Sequence, residues 1–158
     1  MKIRPVKPFF HNDDIDYILN ESRNILSGKG KLTQGKFCQQ FEKEYKEYVG
    51  SEYAIATNSC TSGLDAIFRA IGVKGKEVIL PANTFAATAY GIIHAGGIPV
   101  FADIDKTMNL DPESVKNYIN TNTAGICLVH MGGYITPRIN ELLDICDANN
   151  IFLIELFL

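Results

Sequence analysis

The chain has 158 residues, of which 46% are apolar and 21% are charged, and its formal net charge is −3. This length can bury a core, and the composition is typical of a folded globular protein. The acidic balance argues against nucleic acid or an anionic membrane as a partner. The sequence has no apolar stretch long enough to cross a bilayer, and Met1–Phe10 lacks the apolar core of a secretory signal. We therefore expect a cytoplasmic protein.

The first fifty residues predict two helices separated by a loop rich in glycine and lysine, Ser27–Gly35. Either Asn12 or Asp13 is the expected N-cap of the first helix. Its apolar residues recur at helical spacing and are Ile15, Ile18, Leu19, Ile25 and Leu26. The second helix ends near Gly50, and its aromatic face consists of Phe37, Phe41, Tyr45 and Tyr48.

From Glu52 onward the pattern changes to short apolar runs that alternate with amphipathic segments. The runs predict five strands, at residues 53–57, 77–80, 99–102, 126–130 and 151–154. Helices are predicted around 64–71, over 85–95, after Asp111-Pro112, and over 139–146. This alternation predicts an α/β fold with a mostly parallel sheet and flanking helices, in which functional residues gather at the carboxyl ends of the strands.

The segment Gly30–Phe37 nearly matches the phosphate-binding P-loop, but it fails as a nucleotide-triphosphate site. Phe37 stands where the magnesium-binding hydroxyl is needed, and the segment follows a helix rather than a buried strand.

A stronger candidate is Asn58–Gly63, between the first predicted strand and its helix. The small hydroxyl residues and the free N–H groups of a helix start could hold a phosphate. Ser59 or Thr61 could equally be a plain N-cap. Both interpretations stay open on local chemistry.

Three other segments follow predicted strands. Phe85 could stack on a flat heterocycle or belong to the core. Among the acidic residues 103–111, Asp111 before Pro112 is typical of helix capping, so we favour a structural role there. His130 could contact a substrate or satisfy a loop carbonyl.

The cysteines and histidines show no metal-binding or disulfide spacing. We expect buried or partly buried free thiols at Cys38, Cys60, Cys127 and Cys146. No metal site is predicted.

Taken in order, these segments resemble the DegT/DnrJ/EryC1/StrS sugar aminotransferases, which are fold-type I enzymes that depend on pyridoxal 5′-phosphate. The resemblance runs from about Leu32 to Glu155. The matching segments are residues 32–35 with Phe41-Glu42, then 58–64, 77–81, 84–88, 96–105 and 129–133.

The resemblance implies the N-terminal part of the large domain of such an enzyme. Residues 1–158 would be one incomplete domain, with N-terminal helices over 1–50 and βα repeats over 51–158. Thr61 and Ser62 would hold the phosphate of pyridoxal 5′-phosphate, and Phe85 would stack on its pyridine ring. Cys60 stands where the family usually has glycine. The family also implies a keto-sugar substrate, usually nucleotide-linked, glutamate as amino donor, and a homodimer.

Two family features have no counterpart in these 158 residues. Leu156 stands at the position of the aspartate that pairs with the pyridine nitrogen. No lysine follows Lys116, so the Schiff-base lysine is absent and no catalytic residue is assigned. We therefore expect this chain to be inactive alone and its apolar end, Ile151–Leu158, to limit solubility. The alternatives are a non-catalytic binding module, the N-terminal subunit of a split enzyme, or an unrelated α/β nucleotide-binding domain.

Overall fold

The structure is a computed structural model that describes residues 8–157. Most of Met1–Phe10, assessed above as a possible signal, lies outside the described residues, and so does Leu158. The chain forms two compact units that divide between Ala56 and Thr57.

The first unit contains two helices. Helix α1 spans Asn12–Asn24 and continues into a π-helical turn, Ile25–Lys29, and helix α2 spans Lys36–Val49. The predicted caps, Asn12 and Asp13, were wrong by one and two residues. His11 is the N-cap, and its backbone N–H donates to the Asp14 carboxylate at 3.2 Å. Helix α2 ends at Gly50, whose φ of 72° is left-handed, as in many helix C-terminal caps.

The first predicted strand, at residues 53–57, was wrong. The backbone there is irregular, and Tyr53 and Ile55 are 75% and 84% exposed. A strand requires a partner for its N–H and C=O groups, and this run has none within residues 8–157. The N–H of Ala56 instead donates to the Glu42 carboxylate at 2.9 Å.

The second unit alternates helices and strands, as the sequence predicts. Helix α3 (Cys60–Ala70) precedes strand β1 (Glu77–Pro81), and α4 (Ala86–His94) precedes β2 (Ile98–Ala102). The remaining elements are α5 (Pro112–Tyr118), β3 (Thr123–His130), a 3₁₀ turn (Met131–Gly133), α6 (Ile139–Asn149) and β4 (Phe152–Phe157).

The four strands form one parallel sheet in the order β2-β1-β3-β4. Strand β3 is buried along its whole length because it lies inside the sheet with both faces covered. Its register with β4 places Val129 opposite Leu156 and His130 opposite Phe157.

Each face of the sheet carries its own apolar core, because side chains alternate along a strand. On one face, α3 and α4 contribute Leu64, Phe68 and Ile92 to a cluster with Leu80 and Cys127. The other face packs against α5 and α6 through a second cluster, whose buried members are Ile79, Ala102, Leu110, Val115, Ile126, Leu128, Leu142, Ile145 and Cys146.

The acidic segment after β2 has the structural role expected for it. Asp111 caps α5 by accepting the Glu113 N–H at 3.1 Å, and Ile104 bridges to Leu110. Asp105 accepts hydrogen bonds from the N–H and hydroxyl of Thr107, and these lower its pKa against the opposing effect of burial. No helix in the described part of the chain is long and apolar enough to cross a membrane.

Candidate functional site

The strand order creates a topological switch point between β1 and β3. The chain moves from β1 to β2 in one direction and then returns past β1 to place β3 and β4 on its other side. Connections that leave neighbouring strands toward opposite faces open a crevice at the carboxyl ends of the sheet. That edge carries the loops after Pro81 and after His130.

The predicted phosphate cradle lies at the start of α3. Ser59 is the N-cap, and its hydroxyl accepts the Ser62 N–H at 3.1 Å and lies 3.0 Å from the Ser62 hydroxyl. The capping interpretation is therefore correct for Ser59. Thr61 is half-buried and Ser62 is exposed, so both remain open to a ligand.

Gly63 lets the cradle fold tightly. A Cβ at Gly63 would lie 3.3 Å from the Thr57 hydroxyl oxygen, which itself donates to the Ser59 carbonyl at 2.9 Å. This close turn keeps hydroxyl groups and helix-start N–H groups together at one place, where the helix dipole favours an anion.

Phe85 is the N-cap residue of α4 and is 69% exposed. The alternative that Phe85 belongs to the core is therefore wrong. Helices α3 and α4 run in the same direction. Gly91 packs against Leu64 and Phe68, and the Arg69 guanidinium donates to the His94 carbonyl near the C-terminal ends of both helices. Their N-terminal ends, which carry the cradle and Phe85, therefore lie at the same edge of the sheet.

His130 makes a contact that sequence reasoning missed. It is fully buried, its Nε2 lies 3.0 Å from the Glu155 carboxylate, and its ring packs on Phe157 at 4.5 Å between centroids. Its Nδ1 has no hydrogen-bond partner among the described residues. The register of two neighbouring parallel strands brings the pair together, and a linear pattern does not display that register.

Glu155 and Leu156 point to opposite faces of the sheet. Glu155 is half-exposed beside His130, whereas Leu156 is buried in the cluster beneath α3 and α4. Leu156, at the position matched to the family aspartate, therefore faces the same side as the cradle helix.

The prediction of buried thiols was correct for two of the four cysteines. Cys127 and Cys146 are buried, whereas Cys38 and Cys60 are exposed. Burial raises the pKa of Cys127 to about 12, and the neighbouring Cys60 adds to this rise. Burial likewise raises the pKa of Cys146 to about 11. The described residues contain no group of three side chains suited to hold a metal ion.

Comparison with known proteins decides the family. The profile of the DegT/DnrJ/EryC1/StrS aminotransferase family matches residues 13–155. The chain belongs to this family. It is 37% identical over 131 residues to the 3-oxo-glucose-6-phosphate:glutamate aminotransferase of Bacillus subtilis, a match that covers 82% of this chain and 30% of the relative.

Another relative and a solved structure match with similar coverage. Identity to the GDP-perosamine synthase of Vibrio cholerae is 34% over 125 residues, which is 78% of this chain and 34% of that enzyme. The crystal structure of NtdA from Bacillus subtilis with bound PMP superposes with a TM-score of 0.80 at 34% identity, covering 92% of this chain and 34% of NtdA. The chain thus spans about a third of the length of the curated relatives it matches.

The residues present fit one end of the cofactor that the family implies. The hydroxyls of Thr61 and Ser62 and the α3 start suit a phosphate monoester, and Phe85 offers an open aromatic face at the same edge. Leu156, where the resemblance predicts the partner of the pyridine nitrogen, offers no acceptor and is buried in apolar surroundings.

Proposed function

We propose that this chain supplies the phosphate-binding part of a pyridoxal-phosphate aminotransferase that acts on a keto-sugar. The observation that carries the proposal is the juxtaposition of the α3 cradle and Phe85 at one edge of the sheet, in a chain of this family. Pyridoxal phosphate, when bound, supplies an electron sink for amino-group transfer.

The chain's own residues would bind and orient the cofactor. Thr61 and Ser62 donate to the phosphate while the α3 start supplies N–H groups. Phe85 covers one face of the ring and keeps water away from it. Ser59 holds the Ser62 N–H through its own hydroxyl, which fixes the geometry of the helix start before a ligand arrives.

The substrate proposal follows from the family relatives. One is named for glutamate and a 3-oxo sugar phosphate, and another for a GDP-linked sugar. We propose glutamate as amino donor and a nucleotide-linked keto-sugar as acceptor for the whole protein, acting as a homodimer in the cytoplasm.

The test is a titration of the 158-residue chain with pyridoxal phosphate and, separately, with pyridoxal. Binding is monitored by cofactor fluorescence and by the NMR signals of the backbone amides of residues 59–63. We expect pyridoxal phosphate to bind at least about tenfold more tightly than pyridoxal, because only the former has the phosphate. Equal affinities, or unchanged signals at residues 59–63 on binding, would rule the cradle out.

Matched variants separate the two contacts. Ser62→Ala and Thr61→Val should weaken pyridoxal phosphate by about tenfold each, with Thr121→Val, an exposed threonine at the opposite edge of the sheet, as control. Phe85→Leu should weaken the binding of pyridoxal as much as that of pyridoxal phosphate. Phe152→Leu, which changes an exposed phenylalanine outside the proposed site, should change neither affinity.

A second candidate is a subunit that pairs with a separately encoded polypeptide carrying the aspartate and lysine. The observation in its favour is strand β4, which has no partner on its outer side within residues 8–157 and exposes Phe152 and Phe157. Sequencing the DNA after the Leu158 codon and translating all three frames tests it. An aspartate and lysine motif in a shifted frame would point to one interrupted enzyme, whereas the motif in a separate adjacent gene would support the paired subunit.

A further inference from the structure

A cleft of about 580 Å³ lies within residues 8–56, between the end of α1, the π-helical turn and the start of α2. This volume lies in the range of small-molecule sites, which is roughly 300–1,000 Å³. Part of the segment Gly30–Phe37, which nearly matches a P-loop, lines this cleft, and the proposed cofactor site does not use that segment.

Positive charge dominates the lining. Lys29, Lys31 and Lys36 face a single carboxylate, Glu21, which pairs with Lys36 at 2.9 Å. The salt bridges of the described residues include neither Lys29 nor Lys31. Since the whole chain carries a net charge of −3, this cleft is a local reversal of sign that would attract an anion.

The rest of the lining adds neutral donors and an apolar wall. Gln34, Gln39 and Phe37 are among the lining residues, and the Lys36 ammonium lies 4.7 Å from the centroid of the Phe37 ring. One ammonium group can balance the charge of a single carboxylate, but it cannot balance the charge of a polyvalent anion. A polyvalent anion therefore needs several donors. The lining therefore favours a phosphate-rich ligand over an amino acid.

We propose that this lysine cleft binds the diphosphate group of a nucleotide-linked sugar, with Lys29 and Lys31 as its principal contacts. The identification of the ligand as a sugar nucleotide rests on the proposed function, whereas the capacity to bind a diphosphate rests on the cleft alone.

The test is a titration of the 158-residue chain with inorganic pyrophosphate, in which binding is monitored by the NMR signals of the backbone amides of residues 28–37. We expect saturable changes there and an affinity that falls with added salt, because exposed charges are screened. The double variant K29Q/K31Q should bind pyrophosphate at least about tenfold more weakly, and K29R/K31R should restore binding because it keeps both charges.

The control is K43Q/K46Q, which removes two charges from α2 outside the cleft and should leave the affinity unchanged. Equal weakening in both double variants would mean that pyrophosphate senses only the overall charge, and the inference would then be wrong. Absence of changes at residues 28–37 would also overturn it.

Nucleoside diphosphate and monophosphate distinguish this inference from the proposed function. If GDP binds the cleft more tightly than GMP but pyridoxal phosphate leaves residues 59–63 unchanged, the cleft stands and the cofactor proposal fails. If pyridoxal phosphate binds but GDP and GMP bind residues 28–37 equally or not at all, the diphosphate proposal fails alone.

Discussion

The two units of the chain differ sharply in what they bury. Helices α1 and α2 contain no buried residue, whereas the sheet of residues 57–157 has a closed apolar cluster on each face. Both regions show helical periodicity in their sequences. The difference teaches that an amphipathic pattern predicts a helix and its apolar face but does not identify what covers that face.

The largest expected effect on the free energy of unfolding comes from replacing a core phenylalanine rather than an exposed one. Phe68 is fully buried in the cluster beneath α3 and α4, whereas Phe41 on α2 is 57% exposed. Phe68→Ala should lower the free energy of unfolding by about 3–5 kcal/mol. Phe41→Ala should lower it by less than about 1 kcal/mol, measured by urea denaturation with circular dichroism.

A large loss in Phe41→Ala would break the comparison, because it would mean that α2 is covered in solution. Should Phe68→Ala fail to fold, the milder pair Ile92→Val and Ile18→Val repeats the test. We then expect a loss of about 0.5–1.5 kcal/mol for the buried Ile92 and almost none for the half-exposed Ile18.

A middle-sized effect is expected at Gly125, where β3 and β4 approach closely. A Cβ there would lie 2.8 Å from the Phe152 carbonyl oxygen, so Gly125→Ala must push the two backbones apart. We expect a loss of about 1–3 kcal/mol and faster hydrogen exchange of the β4 amides.

Gly30→Ala in the first unit is the matched comparison. Its Cβ would lie 3.1 Å from Ile25 Cγ1 and 3.6 Å from the Ile25 Cα, so the contact is less tight than the one at Gly125. A cost at Gly30 as large as the cost at Gly125 would contradict the comparison, because it would show that the loop is packed as rigidly as the sheet.

The smallest effect concerns one ion pair from each unit. The hydrogen bond from Lys36 lowers the pKa of Glu21, and the hydrogen bonds from Arg138 lower the pKa of Glu141. Lys36→Gln and Arg138→Gln should each raise the partner carboxyl pKa toward its ordinary value, as measured by carbon-13 NMR titration. No movement in either variant would mean that the exposed pair is not formed in solution.

The sign of the pH dependence follows from the direction of these shifts. A carboxylate whose folded-state pKa is lowered stabilises the fold above its unfolded pKa, and this stabilisation is lost as pH falls through the folded value. For both pairs the loss of stabilisation therefore occurs below about pH 4.5.

Arg138 also forms an ion pair with Asp111 at 2.8 Å, and this second pair links the starts of α5 and α6.

The sequence predicted the strands correctly where an apolar run has a neighbouring strand to pair with in the same unit. The four runs that became β1–β4 and helix α6 were predicted from apolar patterns, and the start of α5 was predicted from the capping chemistry of Asp111-Pro112. The run at 53–57 is also mainly apolar, but no strand pairs with it within residues 8–157, and its backbone is irregular. Composition specifies the tendency to form a strand, and pairing decides the outcome.

The site was predictable only in part. The family pattern selected Thr61, Ser62 and Phe85, and these assignments stay predictions until a cofactor titration is made. The His130–Glu155 pair depends on register between two strands, and the exposure of Cys60 depends on the α3 start. Neither three-dimensional relation is encoded in local spacing.

The strand order also has a consequence for how the sheet is completed. Strand β1 can pair with β2 as soon as α4 has folded back, but its other edge must wait until β2 and α5 have been made and β3 arrives. Such non-local pairing is slow because loop closure must precede the contacts. During synthesis, the backbone groups on this side of β1 therefore stay unpaired until β3 has been made, and a newly made polypeptide is open to wrong strand pairing there.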